Sequence, residues 1–495
     1  MRGYILKRIL KSIVSIICVV SIVIAMVYTM IPRNKVLESD TGFRKLTGDT
    51  RTSYMYSKFD ELGYMDYLRL NDMCTNKADD YAKCMINGSD ENLKVISAYE
   101  DNGYVIEYQR NGNAFAYHDY NILEVVFRFW KNLVVFDTPN TIVDENNPNL
   151  ERKVYIGKDF NDVPAVMCSG CTHKYLVYFD GNFPFVHQNF VSLDFGISYP
   201  TKAGTKALAV ISEGQGSQIV SNITFPTGVQ NDSAFDLHTA KYKYNLDHLD
   251  KTKFDDNYAD CSSIYESPSM IITSYIFGIV SLIIAYVLGI PAGISMSRNK
   301  DKIVDKIGVA FINIIIAMPS LALIFFLREA GSKFTLPDKF PMLGFKDPRS
   351  YIIPIIILAL LSMPSLMTWT RRYMLDQSNA DYVKFARAKG LSQKEIFSKH
   401  ILKNAIIPIV NGIPGSIILC ISGAFITESA FAIPGMGKML PDSISKMNNN
   451  MIITLTFIFS SLAIFSVLLG DILMVIIDPR IQLTAKKGGG RHRAH

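Results

Sequence analysis

The sequence predicts an α-helical polytopic membrane protein with six transmembrane helices and an α+β extracytoplasmic domain inserted between the first and second of them. Three observations lead to this class. Charged residues make up 19% of the 495-residue chain, whereas a soluble globular protein contains about 25%. Six stretches of 20 or more residues contain no Asp, Glu, Lys or Arg. The first two of these stretches flank a long polar segment that contains short apolar runs of its own.

The uncharged stretches are long enough to cross a membrane, because roughly 20 helical residues span the ~30 Å hydrocarbon layer. They predict helices at about 12–32, 269–296, 307–327, 351–370, 404–427 and 452–477, the last five within a membrane core at 267–480. The first run follows basic residues 1–11 and exceeds the roughly 7–15 residues of a signal-peptide core, so we expect a retained helix. A single soluble enzyme is excluded.

Charge predicts the orientation. Residues 32–268 contain 23 Lys and Arg against 33 Asp and Glu, whereas the rest of the chain contains 28 against 12. Loops rich in Lys and Arg stay on the cytoplasmic side of a membrane. We therefore expect both termini in the cytoplasm, including a basic tail at 481–495, and the acidic segment 33–266 outside.

The extracytoplasmic segment predicts its own folded domain. Apolar runs at 104–109 and 174–179 favour strands, and 121–136 reads as an amphipathic helix whose Phe127, Phe129 and Trp130 we expect in the domain core. An oxidising exterior permits disulfides. The candidates are Cys74 with Cys84 and Cys168 with Cys171. A second Cys-x-x-Cys at zinc-site spacing is missing, so we expect no metal.

The longest inner loop, residues 371–403, is strongly basic and of helical composition, with Gly390 in its middle. Its apolar residues cannot all face water. They predict two short helices around Gly390, one packed on the membrane core and one free to contact a partner. An ordinary basic cytoplasmic loop is the alternative that composition alone leaves open.

Two acidic residues lie in or beside predicted helices, where ionisable groups are functional candidates. Asp471 interrupts the last helix, seven residues or about 10 Å before Asp478. Either structural pairing with a basic neighbour or gating explains it. Glu428 ends the fifth helix near the outer surface, where it is a gating or partner-docking candidate.

Four segments resemble those of one family. They are "LDFGISYP" (193–200), "DYVKFARAKGLSQKEIFSKHILKNAIIPIV" (381–410), "TESAFAIPGMGKML" (427–440) and "GDILMVIIDPRIQL" (470–483). In this order they are similar to the B-type permease subunits of oligopeptide and dipeptide ABC importers. Where other importers have Glu-Ala-Ala, this chain has Lys384, Phe385 and Ala386, so only the second Ala is kept. Lys403 stands in place of their later Pro, and both departures fit the peptide subset. The enlarged outer segment resembles a subset from Gram-positive bacteria.

The resemblance implies the type I importer permease fold in a bacterial cell membrane. It implies that 371–403 contains the coupling helix, which sits in a cleft of a cytoplasmic ATPase. Contact residues would be Phe385, Ala386, Ala388, Gly390 and Leu391, with Arg387 and Lys389 at the rim. The implied partners are a second permease, two ATPases, an extracytoplasmic peptide-binding lipoprotein, a peptide substrate and membrane lipids, with no nucleic acid.

We expect no catalytic residue and no cofactor in this chain. It lacks the G-x-x-x-x-G-K-[ST] phosphate loop, so ATP and Mg²⁺ would be used by the separate ATPase subunits. Two other classes stay open. A membrane-anchored sensor or assembly factor would bind ligand without transport. A proton-coupled transporter would need acidic residues deep in several helices, and Asp471 is the one serious candidate.

Overall fold

The computed structural model describes residues 2–181, 185–420 and 424–477. These residues divide into two compact units. The α+β unit comprises Ser21–Pro268 and Ser443–Thr454, and the helical unit comprises the described residues of Met1–Val20, Ser269–Asp442 and Leu455–His495. The predicted tail at 481–495 and the "DPR" at 478–480 lie outside the described residues.

The α+β unit contains ten of the described α-helices, the first of which begins in the helical unit. They are α1 (Arg2–Met30), α2 (Arg33–Glu38), α3 (Thr41–Lys45), α4 (Gly48–Glu61), α5 (Leu70–Lys77), α6 (Tyr81–Cys84), α7 (Asp90–Glu100), α8 (Ile122–Asn132), α9 (Ala207–Ser212) and α10 (His248–Lys253). Helix α1 thus begins ten residues before the predicted start, because the basic residues at 2–11 are also helical.

In the described part of this unit, fifteen strands accompany these helices. They are β1 (Met65–Arg69), β2 (Val105–Tyr108), β3 (Ala114–Asp119), β4 (Val134–Phe136), β5 (Lys153–Lys158), β6 (Pro164–Ser169), β7 (Tyr175–Phe179), β8 (Val186–Gln188), β9 (Val191–Leu193), β10 (Gln215–Gln218), β11 (Ser221–Thr224), β12 (Gln230–Ser233), β13 (Lys241–Tyr242), β14 (Tyr258–Asp260) and β15 (Tyr265–Ser267). The two larger sheets have strand orders β1-β3-β2 and β5-β6-β7-β8, and their paired strands are antiparallel.

Two disulfides join cysteines that are close in sequence. Cys74 and Cys84, whose Cα atoms are 5.8 Å apart, link α5 to α6 beneath the first sheet. Cys168 and Cys171, with Cα atoms 5.7 Å apart, close the turn after β6. These are the two pairs proposed from the sequence. Cys261 of this unit is free.

The predicted helix at 121–136 is shorter than expected, and its aromatic residues are not all in the core. Helix α8 ends at Asn132, and Val134–Phe136 pair with β9 instead. The β-branched residues at 134 and 135 favour a strand once a partner strand is present. Phe127 is 69% exposed, so its assignment to the domain core is wrong.

The helical unit contains the remaining helices. They are α11 (Met270–Arg298), α12 (Ile303–Ala317), α13 (Ser320–Ser332), α14 (Arg349–Ser378), α15 (Asp381–Ala388), α16 (Gln393–Glu395), α17 (Lys403–Ala405), α18 (Ile407–Leu419), α19 (Phe425–Ala430), α20 (Met436–Ser445) and α21 (Asn449–Ile477). A π-helical segment, Ile396–Leu402, joins α16 to α17. The first turns of α21 belong to the α+β unit.

Among the described residues, four helices are long and apolar enough to cross a membrane: Leu6–Met30, Met270–Arg298, Arg349–Ser378 and Asn449–Ile472. Two further stretches qualify as bent pairs. The predicted continuous helix at 307–327 is wrong, because α12 and α13 meet at 103°. Pro319 has no backbone N–H and disfavours a helical conformation at Met318, so the helix breaks there.

The fifth predicted helix is also interrupted. The pair Gln393–Ala405 and Ile407–Leu419 is bent by 42° just before Pro408, and α19 forms a separate short helix from Phe425. Residues 421–423 lie outside the described part. Helix α14 instead runs beyond its predicted end to Ser378, so the first eight residues of the predicted 371–403 loop are helical.

Small residues bring α11 and α14 together. Ser281, Ala285, Gly289 and Gly293 recur every four residues of α11, and all are buried. A side chain at Gly293 would come within 2.8 Å of the Met367 carbonyl oxygen and of the Thr370 side chain. Such close approach of backbones is how helices associate in lipid, where the hydrophobic effect offers no driving force between them.

Candidate functional site

The predicted coupling region forms a capped helix followed by a sharp turn. Helix α15 ends in a Schellman motif, in which Gly390 N–H donates to the Arg387 carbonyl (3.0 Å) and Leu391 N–H to the Ala386 carbonyl (3.3 Å). Gly390 has φ of +78°, in the left-handed region that favours glycine. The chain therefore turns at the residue that the sequence singled out.

A second helix starts immediately after this turn. The Ser392 Oγ accepts from Glu395 N–H (3.3 Å), and the Glu395 carboxylate accepts from Ser392 N–H (3.2 Å), which is a capping box. The structure thus contains two short helices around Gly390, as predicted.

The two faces of α15 differ. Val383 and Ala386 point inward and pack in a cluster with Met374, Ile396 and Ile401. The opposite face exposes Phe385, with 71% of its surface accessible, and the turn exposes Leu391. Arg387, Ala388, Lys389 and Gly390 are exposed as well. Ala386, with only 4% exposed, faces its own chain, so its burial does not support the contact with a partner expected for it.

Glu428 is buried in a fully hydrogen-bonded environment. Its Oε1 accepts from the Ser274 hydroxyl (2.8 Å), and its Oε2 accepts from Lys438 N–H (3.0 Å). A side chain at Gly435 would come within 2.5 Å of the Glu428 carboxyl carbon, so the Pro-Gly-Met-Gly turn fits closely over it. Glu428 therefore fastens this turn to α11.

A cavity of about 250 Å³ lies beside Glu428. It is lined by residues of α11, α14, α18 and α19, among them Ser274, Ser281, Ser362 and Thr427. Apart from Glu428, the polar side chains of this wall are hydroxyls, which can both donate hydrogen bonds to a polar solute and accept them from it.

Asp471 has a basic neighbour. The Arg8 guanidinium of α1 forms an ion pair with the Asp471 carboxylate of α21. Both groups are about one-third exposed. Of the two roles left open for Asp471, the structure shows the pairing with a basic neighbour, which is Arg8.

Three adjacent asparagines form a clamp that sequence reasoning missed. Asn448 Nδ2 donates to Ser198 Oγ (2.9 Å) and Thr201 Oγ1 (2.8 Å), and Asn450 Nδ2 donates to the Ile197 carbonyl (2.9 Å). Asn449 donates to the Tyr64 hydroxyl. We name Asn448–Asn450 the asparagine clamp. A run of three asparagines before an apolar stretch was the available signal, since buried amides need partners.

A buried ion pair was missed as well. The Arg371 guanidinium donates two hydrogen bonds of 2.7 Å to Asp305, joining α14 to the first turn of α12. Asp305 is 3% exposed. The sequence shows only that both residues border uncharged stretches. Within residues 2–181, 185–420 and 424–477, no group of three His, Cys, Asp or Glu residues is arranged to hold a metal.

Similarity to known proteins extends over the whole chain. It is 41% identical over 498 residues to the oligopeptide transport system permease protein AmiC of Streptococcus pneumoniae, covering 99% of this chain and 100% of that protein. It is 32% identical over 208 residues to the dipeptide transport system permease protein DppB of Lactococcus lactis subsp. cremoris, covering 42% of this chain and 67% of that protein.

A third relative is the oligopeptide transport system permease protein AppB of Bacillus subtilis, 33% identical over 215 residues, which are 41% of this chain and 67% of that protein. Residues 289–483 match the family described as binding-protein-dependent transport system inner membrane component. The AmiC match includes the α+β unit, because it leaves almost no residue of this chain uncovered. The chain belongs to the oligopeptide permease family of ABC transporters, as a non-enzymatic multi-pass subunit of the plasma membrane.

Proposed function

We propose that this chain is the B-type permease subunit of an ATP-driven oligopeptide importer. It forms half of a translocation pathway, and a second, homologous permease forms the other half. The hydroxyl-lined cavity beside Glu428 lies on this pathway. The peptide would be passed along hydroxyl and backbone groups, which suits substrates that share a backbone and differ in their side chains.

The chain crosses the membrane six times when each bent helix pair counts as one span. Both termini lie in the cytoplasm. This placement is supported by the excess of Lys and Arg outside residues 32–268, and it puts the α+β unit on the extracytoplasmic side.

The α15 turn transmits motion from a cytoplasmic ATPase. The observation that carries this step is the division of the helix into two faces, with Val383 in the core beside α14 and Phe385 projecting outward. A displacement imposed on Phe385 passes to α14 because close-packed interiors transmit strain. We assign the ATPase contact to Phe385, Ala388, Gly390 and Leu391, with Arg387 and Lys389 at its rim, and omit Ala386.

The test is the Phe385→Ala variant of the assembled importer. We expect the ATPase subunits to co-purify less with the variant, and peptide-stimulated ATP hydrolysis to fall. Phe334→Ala is the matched control, because Phe334 is 76% exposed in the connection between α13 and α14. Equal ATPase recovery from both variants and the unaltered chain contradicts the assignment.

The α+β unit docks the peptide-binding lipoprotein. Support comes from its acidic balance of 23 basic against 33 acidic residues in 32–268, which suits a basic surface on a partner.

The affinity of the purified lipoprotein for the importer should fall as salt rises from roughly 50 to 500 mM, since salt screens exposed charges. Glu100→Lys with Asp101→Lys should flatten that dependence. These residues end α7, where positive charge suits the helix dipole, so the fold tolerates the change. A salt-independent affinity refutes charge-driven docking.

A further inference from the structure

Helix α8 of the α+β unit packs Val125 against its own unit but exposes an apolar edge as well as its charged face. Its Arg128 guanidinium lies 3.9 Å from the centre of the Tyr120 ring, and its Glu124 completes a capping box with Asn121. Leu123 and Phe127, one turn apart, are instead 81% and 69% exposed. In water, a helix of this kind turns its apolar side to the core and its charges to the solvent.

A hydrogen bond places α8 beside the predicted membrane span of α1. The Trp130 indole Nε1–H donates to the Ser21 hydroxyl at 2.9 Å. Ser21 lies within the apolar stretch Leu6–Met30, nine residues before its end. At 1.5 Å per residue this is about 13 Å along the helix from Met30. The C-terminal turn of α8 thus lies alongside the half of α1 that ends at Met30.

This depth accounts for the exposed apolar edge. A helix in the membrane interface buries Leu, Phe and Trp among acyl chains and keeps its charged face toward water or polar groups. Trp is also the side chain enriched at this level, because its ring is apolar and its N–H needs a partner. Leu123, Phe127 and Trp130 supply the apolar edge, and the exposed Arg128 and Lys131 lie on the polar face.

We propose that the Leu123–Phe127 edge of α8 is embedded among the acyl chains of the membrane leaflet at the Met30 end of α1. The α+β unit is then attached to the bilayer by a second element besides its covalent connections. Lipid is the occupant because the contact with Ser21 places the edge at the depth of acyl chains. The proposal rests on α1 crossing the membrane and is independent of the ATPase and lipoprotein contacts.

Fluorescence quenching by lipid tests this placement. The chain contains two tryptophans, so Trp369→Phe leaves Trp130 and its hydrogen bond to Ser21 in place. Phe127→Trp in this background reports on the α8 edge. Ile156→Trp, at an 83% exposed position of β5, is the matched control. The full chains are reconstituted in phosphatidylcholine vesicles with or without bromine on the acyl chains.

We expect brominated lipid to remove roughly half or more of the emission that Phe127→Trp adds to that of Trp130, as for a residue at the acyl boundary, and to leave the emission that Ile156→Trp adds nearly unchanged. Equal, small quenching of both chains overturns the proposal. In the assembled importer, a photoreactive phenylalanine analogue at position 127 should yield lipid adducts. An adduct to the second permease or to the lipoprotein would overturn lipid as the occupant, whatever the vesicle result.

Discussion

Replacing Gly390 with alanine tests whether the α15 turn must keep its shape for transport. Gly390 has φ of +78°, and an added Cβ would meet no atom within 4 Å. The whole effect is therefore conformational. Placing an L-residue in the left-handed region destabilises the folded turn by about 1–2 kcal/mol. A Gly→Ala change offsets about 0.4–1 kcal/mol of this cost, because alanine lowers the conformational entropy of the unfolded chain.

The net cost of about 1 kcal/mol corresponds to roughly a fivefold loss in the population of the turn. We expect peptide uptake by the reconstituted importer to fall by up to that factor. Gly390→Asn should restore much of it, since asparagine tolerates this conformation. Gly390→Pro should abolish uptake, because it also removes the N–H that donates to Arg387 and forces φ to about −65°.

The matched control is Gly228→Ala in the turn between β11 and β12. Gly228 has φ of +82° and likewise meets no atom within 4 Å, so the local cost is the same at a distant place. We expect near-normal uptake from this variant. Equal loss of uptake from both alanine variants, or wild-type uptake by Gly390→Pro, refutes the reasoning.

Three further predictions concern stability. Burial disfavours protonation of His238, but hydrogen bonds to Asp236 and Asp159 outweigh it and raise its pKa above 6.5. The resulting stability is present below pH 6.5 and is lost as pH rises through the higher folded value. Amide hydrogen exchange in β6 and β7, corrected for intrinsic rates, should therefore be faster at pH 9 than below pH 6.5. The His238→Gln variant should lose this pH dependence, whereas the control His248→Gln, at an exposed position, should keep it. Asn448→Ala should lower the free energy of unfolding by about 1–3 kcal/mol, since it leaves buried hydrogen-bonding partners unpaired. An unchanged melting temperature contradicts a stabilising role of the asparagine clamp. Arg371→Met should lower the free energy of unfolding by about 3–5 kcal/mol, because it leaves the buried Asp305 carboxylate without its ionic partner, and Arg371→Lys should have an intermediate effect. Equal melting temperatures of both variants and the parent chain refute the role of the ion pair.

Local signals accounted for the elements that depend on nearby residues. Uncharged stretches located most of the membrane helices, because a charge within the hydrocarbon layer is costly wherever it stands. The Gly-Leu-Ser sequence at 390–392 specified a helix end and a helix start, since the first supplies a left-handed residue and the third a cap. The pairing of Cys74 with Cys84 followed from their short separation and the predicted compartment.

Other features depend on contacts between residues far apart in the chain, which no local pattern contains. The direction in which Ala386 points follows from the cluster it forms with Met374 and Ile401. The asparagine clamp joins residues some 250 positions apart. Phe127 is an apolar residue of a type usually found in protein cores, but its neighbours in space leave it exposed. Periodicity identifies an apolar face, whereas three-dimensional packing decides whether protein, lipid or a partner covers it.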